Sequence, residues 1–252
     1  MQEKEILWLA SWYPNEKNPV VGDFIQRHAL AVSKFRKLTV IYMDQWGWHE
    51  TSNTDKTDIQ INGNLTEIRR YLPFTKTGFR LADRIVYNLK YFLEYRRLLQ
   101  KYFTENGCPR LIHVHVPMKA GKLALWAKRK WGIPYIISEQ ASTYIESAPD
   151  SFEKRSRYYQ NSVRKIFKGA VAVTNVSKSV AGIIEKKMGI DSIHVIHNTV
   201  DEDLFFHTPV SKKKFRFIHV STMHEQKNIA GLLDTFKTLS SRRKDWELRL
   251  VG

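Results

Sequence analysis

Residues 111–138 read LIHVHVPMKAGKLALWAKRKWGIPYIIS, and this stretch decides the fold class. An apolar run, LIHVHV (111–116), is followed by a helical pattern around 119–131 and then by a second apolar run, PYIIS (134–138). The rhythm extends in both directions. On the N-terminal side ILWLA (6–10) precedes DFIQRHALAVSK (23–34), LTVIYM (38–43) leads into a loop, and IRRYLP (68–73) precedes a long helical pattern from Leu81 to Phe103. On the C-terminal side PYIIS precedes a helix around 151–168, and AVAVTN (170–175) precedes VSKSVAGIIEKK (176–187). Short strands alternating with helices of this length predict an α/β fold with a parallel, doubly wound sheet.

Helical spacing supports the reading. Val176, Val180, Ile183 and Ile184 recur on one face. After IHVIHN (193–198) the rhythm breaks into TVDEDLFFHTPVSKKK, a turn-rich, charged segment containing Pro209 that reads as a linker. FRFIHVS (215–221) starts a fresh strand, helix, strand unit that runs to WELRLVG (246–252). The expected organisation is a domain over 1–199, a linker over 200–213 and the start of a second domain over 214–252. A parallel strand pair with one helix cannot bury both sheet faces, so the last piece should lean on the first domain or belong to a larger one.

Within that piece, FIHVSTMHEQKNIAGLLDTF (217–236) places Lys227 and Asn228 where its helix should begin, with Ile229, Leu232, Leu233, Phe236 and Leu239 forming the apolar stripe. A helix start already gathers unpaired N–H groups and the positive end of the dipole. A lysine there makes sense opposite an anion, and the candidate ligand is a phosphate. The plainer alternative is a solvated surface lysine.

At 252 residues the chain can hold one large or two modest domains, and its 42% hydrophobic and 26% charged residues are those of a globular protein. The single cysteine, Cys108, excludes an internal disulfide and suits a reducing compartment. MQEKEILWLASWYP at the N-terminus reads as neither a signal peptide nor an anchor, and no stretch approaches the roughly 18 to 20 apolar residues of a membrane span. The expectation is a cytoplasmic protein. The net charge of +16 is concentrated: residues 151–190 carry nine Lys or Arg against two Glu, and 80–101 carry six against two acids. Such patches attract phosphate, nucleic acid or an anionic membrane face, and charge alone does not choose among them.

Several motifs are informative by absence or by weakness. There is no G-x-G-x-x-G and no Walker A loop, because the twelve glycines are scattered. SFEK (151–154) and KTG (76–78) resemble penicillin-binding elements, but their order is wrong and no S-D-N lies between them. His113 and His115 share one face of a strand without a third ligand at useful spacing, which argues against a metal site. Trp46 and Trp48 in QWGWH (45–49) could stack on a sugar ring or pack under their own loop.

Taken in order, these segments resemble the family 4 glycosyltransferases. SWYPNEKNPVVGDFIQRHA is similar to the family's first loop and helix, LIHVHVP and PYIISEQAS to its "IHaH" and "tEHg" segments, VTNVSKSV to its serine segment, and VIHNTVDEDLFF to its "PNGVD…F" crossover. HVSTMHEQKNIAGLLDTF looks like the phosphate-binding start of the donor domain. The resemblance implies a GT-B architecture: a Rossmann-like N-terminal domain plus the first strand, helix and strand of a second Rossmann-like domain. It also implies retaining transfer from a nucleotide-sugar to a glycan or lipid-linked acceptor in cell-surface polysaccharide synthesis, with no metal or cofactor.

Site residues follow from the same resemblance. Lys227 and Asn228 would face the donor diphosphate, and Gly22 would let backbone approach the phosphates or the acceptor. Glu139 matches the glutamate of "tEHg", and Gln140 stands where the family has histidine; together they are the candidate catalytic pair. His115, Asn198 and Asp201 would line the cleft or the crossover, with Phe205 packing beside them. Ser221 and Thr222 occupy the region of the family's second phosphate-binding cation, and its E-x7-E element corresponds to sequence beyond Gly252, which makes this chain inactive alone if it is complete. The alternatives are a non-catalytic binding domain of this fold, or a basic nucleic-acid-binding protein. No nucleic-acid recognition module is recognisable, so nucleic acid is not an expected partner. An anionic membrane surface is, because residues 84–103 mix Arg and Lys with Tyr, Phe and Leu.

Overall fold

The computed structural model describes residues 5–44, 51–208 and 214–252. Trp46, Trp48 and Pro209 lie outside the described residues. The chain divides into two units, Met1–Asn198 and Thr199–Gly252.

The first unit is built on an eight-stranded sheet. In chain order its elements are β1 (Ile6–Ala10), α1 (Asp23–Ser33), β2 (Leu38–Met43), β3 (Lys56–Asn62), β4 (Leu65–Tyr71), α2 (Arg80–Asn106), β5 (Leu111–His115), α3 (Ala120–Trp131), β6 (Tyr135–Glu139), α4 (Arg157–Gly169), β7 (Ala172–Asn175), α5 (Lys178–Met188) and β8 (His194–Val195). The strand order is β3-β4-β2-β1-β5-β6-β7-β8, and every pairing is parallel except β3 with β4. The stretch around 111–138 is the expected strand, helix, strand unit, with Ile112 paired to Tyr135 and His115 to Ser138.

Alternation along the strands sends side chains into two cores. Leu7, Leu9, Ile41, Ile112, Val114, Ile137 and Val173 meet α2, α3, α4 and α5 on one face. Trp8, Ala10, Val40, Tyr42 and Leu65 meet Ile25 and Ala29 of α1 on the other. The long α2 carries the chain from β4 past β2 and β1 to β5, which explains its 27 residues, about 40 Å of helix. It packs through Tyr87, Tyr91, Tyr95 and Leu99, all fully buried, and each such side chain contributes on the order of 2 kcal/mol.

Three details differ from the sequence reading. Residues 56–62 form a strand, hairpin-paired to β4 through the turn at Gly63 (φ +56°), where a loop was expected. The helix expected from 151 begins at Arg157, capped by the Ser156 hydroxyl, because a separate turn occupies 152–154. Phe205, expected to pack, is 62% exposed.

The second unit has two parallel strands, β9 (Phe215–Val220) and β10 (Trp246–Val251), joined by α6 (Ile229–Arg242). Phe217, Phe236 and Trp246 form an aromatic cluster between helix and strands, with Phe236 4.9 Å from each of the other two rings. No residue of α6 is fully buried, and Leu233 of its stripe is 48% exposed. That is what a two-stranded sheet with a single covering helix can achieve.

Candidate functional site

In an open parallel sheet, ligands bind outside the carboxyl ends of the strands where the order reverses. Here β1 leads through α1 to β2 on one side, while β5 lies on its other side, so the switch point falls between β1 and β5. Their ends are joined by the Ser11 N–H donating to the His115 carbonyl at 3.0 Å. The Ser11 hydroxyl lies 2.6 Å from the Val116 carbonyl, approaches the Met118 carbonyl, and accepts from the Ala120 N–H at 3.3 Å. This clamp holds a strained loop: Val116 (φ +61°) and Lys119 (φ +66°) both occupy the left-handed region, which costs on the order of 1–3 kcal/mol each.

His115 is buried, and neither ring nitrogen has a hydrogen-bond partner among the described residues. Its ring lies 4.1 Å from Trp8 and 4.2 Å from His113. Burial, then neighbouring His113 and His28, push its basicity far down, and His113 is pushed down to about 3 by burial and His28. Both rings are neutral at pH 7. His113 Nε2 contacts the Ser138 hydroxyl at 2.7 Å, and Ser138 contacts the Thr174 hydroxyl at 2.7 Å, a relay across three strands on the α1 face. Among the described residues no group of three metal-ligating side chains comes together.

Glu139 ends β6 on the opposite face, so it and His115 belong to different sides of the sheet. Its Oε1 accepts from the backbone N–H groups of Gln140 and Ala141, both at 2.8 Å, and its Oε2 accepts from the Tyr144 hydroxyl at 2.8 Å. Burial raises its carboxyl to about 7 against the pull of those three donors. The carboxylate is thus committed to shaping the loop after β6. The Gln140 side chain, next along the chain and half-buried, makes no hydrogen bond with a described residue, and its amide can serve a ligand hydroxyl.

Gly22 caps α1 at φ +68°, and a Cβ there would lie 2.6 Å from the Trp12 carbonyl carbon. The close approach that it permits is therefore to the backbone of its own loop. That loop is tied down from β4. Arg69 donates through Nε to the Pro14 carbonyl at 2.8 Å and through Nη2 to Glu67 at 3.0 Å, while Tyr13 and Gln26 donate to the same carboxylate. Between loop and hairpin lies a cavity of about 250 Å³ lined by Pro14, Glu16, Asp58, Gln60, Arg69 and Tyr71, below the usual size for a drug-sized ligand.

One cationic group escaped the sequence reading. The Lys119 ammonium sits 4.5 Å from the Tyr91 ring centroid and 5.9 Å from that of Tyr87. Burial pushes it down to about 8, with Asp44 opposing and Arg84 and Lys122 adding to the shift. The signal was available: Lys119 precedes α3 as Lys227 precedes α6, a cation at a helix start.

In the second unit the helix start is built as a cap. Asn228 adopts φ +46°, and its side-chain oxygen accepts from the Gly231 N–H at 3.2 Å. Lys227 closes the preceding turn through its N–H to the His224 carbonyl at 2.8 Å, and its side chain is exposed. Asn198 ends the first unit, and Asp201, near the start of the second, opens a turn, its carboxylate accepting from the Asp203 N–H at 3.1 Å.

A family model described as Glycosyltransferase Family 4 matches residues 52–204. No curated protein matches the chain. Solved structures similar to it include sucrose-phosphate synthase from Thermosynechococcus elongatus (13% identity, TM-score 0.67), covering 99% of this chain and 62% of that one. A structure described as trehalose-6-phosphate from E. coli bound with UDP-2-fluoro glucose follows (12% identity, TM-score 0.63), covering 97% and 64%. The catalytic domain of starch synthase IV from Arabidopsis thaliana bound to ADP and acarbose is also similar (13% identity, TM-score 0.62), covering 100% and 69%. The chain thus spans less than two thirds of the length of the first two, and these likenesses show the fold, a Rossmann-like sheet of the GT-B kind.

Proposed function

Because the chain belongs to glycosyltransferase family 4, we propose that it carries out, or forms the larger part of an enzyme that carries out, retaining transfer of a sugar from a nucleotide-sugar donor to a glycan or lipid-linked acceptor. The observation that carries this reading is the start of α6, where the exposed Lys227 directly precedes Asn228, the residue that caps the helix N-terminus. As the glycosyl bond loosens, charge builds on the leaving diphosphate, and a fixed cation with aligned N–H groups stabilises it without rearrangement. Two similar structures are described with ADP or a UDP-sugar bound, which supports a nucleoside diphosphate as the group held.

Gln140 hydrogen-bonds a sugar hydroxyl in this scheme, because an amide neither gains nor loses a proton near neutral pH. Glu139 keeps the loop that presents Gln140 in shape. No metal is assigned a part. The acceptor belongs to cell-surface polysaccharide assembly at the cytoplasmic face of a membrane, a role that the basic charge of +16 favours. The test is incubation with a panel of UDP-, GDP- and ADP-sugars, reading nucleoside diphosphate release and the anomeric configuration of the product. Release from one nucleotide class with retained configuration is expected. An inverted product would overturn the retaining assignment, and nucleotide binding with no turnover of any donor would overturn the transferase reading and leave a non-catalytic binding domain.

A further inference from the structure

We infer that the outward ridge of α2 is a docking surface for an anionic lipid bilayer. The helix carries two apolar ridges, and each residue of one stands two positions, or about 200°, from a residue of the other. The inward ridge is Tyr87, Tyr91 and Tyr95, all buried. The outward ridge is Leu81, Ile85, Leu89 and Leu93, which are 72%, 52%, 61% and 52% exposed, and Phe79 and Val86 extend it. Successive members are four residues apart, so they form one continuous strip. A single exposed leucine needs no explanation, whereas a contiguous strip marks an interaction surface.

Charge decides the occupant. Between residues 80 and 101 stand Arg80, Arg84, Lys90, Arg96, Arg97 and Lys101 against Asp83 and Glu94. Asp83 is turned inward to accept from Thr77, Glu94 pairs with Arg97 and Lys101 with Glu105, so Arg80, Arg84, Lys90 and Arg96 remain without an acidic partner among the described residues and the balance along the ridge is positive. Beside the ridge, the Arg96 guanidinium lies 5.2 Å over the Trp126 ring of α3, and the Lys122 ammonium lies 4.6 Å over the exposed Tyr158 ring. Rings with an apolar body and a cation at one end suit the headgroup layer. Two copies meeting through this face would bring like charges together, and nucleic acid would leave the apolar strip wet. A bilayer takes both features: the ridge enters the acyl boundary while the basic flanks meet anionic headgroups. No helix among the described residues is long and apolar enough to cross a membrane, so the mode is in-plane.

This surface supplies the membrane part of the proposed function, and its test reads lipid binding without turnover, so its failure leaves the transferase reading standing. The whole chain is floated with phosphatidylcholine vesicles that contain or lack phosphatidylglycerol, alongside Ile85→Glu/Leu89→Glu and, separately, Arg84→Glu/Arg96→Glu. Wild type should partition onto the anionic vesicles, less so in about 0.5 M salt. Both double variants should bind at least about tenfold more weakly with an unchanged melting temperature, since all four side chains are exposed. Wild type that ignores anionic vesicles, apolar-ridge variants that still bind, or a concentration-dependent dimer abolished by Ile85→Glu/Leu89→Glu would overturn the inference.

Discussion

Arg69 on β4 donates to the carbonyl of Pro14 in the loop after β1 at 2.8 Å, tying a buried guanidinium to the segment that leads to the switch point. The same group holds Glu67 at 3.0 Å and Asp58 at 3.5 Å. Truncating it leaves the Glu67 carboxylate buried and uncompensated, so Arg69→Ala should lower stability by about 3–5 kcal/mol in urea titration. A loss below about 1 kcal/mol would mean that solvent already reaches this network.

Gly22 and Gly132 separate backbone strain from steric conflict. Both have φ near +70°, but a Cβ at Gly132 meets nothing within 4 Å, whereas one at Gly22 meets Trp12 backbone at 2.6 Å. Gly132→Ala should cost about 1 kcal/mol from conformation alone. Gly22→Ala should cost at least about 2 kcal/mol more, because backbone has to move. Equal losses in thermal melts would show that the loop yields freely.

Glu139 should make stability depend on pH. Burial raises its folded-state value to about 7 from 4.5, so its contribution is fully present below about 4.5 and is lost as pH rises through 7. Raising the pH from 4 to 8 should therefore remove up to about 3 kcal/mol through this group. Glu139→Gln should flatten the stability profile over that window. An unchanged slope in the variant would assign the dependence to other groups.

Gln140 offers the opposite signature. Its side chain bonds to no described residue, so Gln140→Ala should leave stability within about 0.5 kcal/mol of wild type. It should weaken a nucleotide-sugar while leaving the bare nucleotide unaffected, because the amide is assigned to a hydroxyl of the transferred sugar, which the bare nucleotide lacks. Equal weakening of both ligands would move Gln140 away from the sugar.

The sheet was legible because apolar runs and helical stripes alternate along the chain, and LIHVHV with PYIIS gives adjacent strands directly. Strand β3 was not, because KTDIQIN is polar and lies at an exposed edge, although Gly63-Asn64 marked a two-residue hairpin turn. Sequence alone could not say which side of α2 packs, since both ridges are apolar; the tyrosines win by reaching the sheet, where Tyr95 donates to the Ile41 carbonyl at 2.9 Å. Glu139 and Gln140 were read as a pair because they match the family's "tEHg" segment, but adjacent residues at a strand end diverge, one into the core and one outward. Lys119 was passed over although a cation at the start of α3 was visible in the sequence; what singles it out, its place over the α2 tyrosines, is a long-range fact.

The most direct measurement is calorimetric titration of the chain with UDP, GDP and ADP, and with their sugar conjugates, in wild type and Lys227→Ala. One nucleotide class should bind the wild type, and the variant should bind it at least about tenfold more weakly at unchanged stability, the loss of one charge-assisted phosphate contact. Equal binding by Lys227→Ala, or no binding of any nucleotide by wild type, would contradict a diphosphate site at the start of α6.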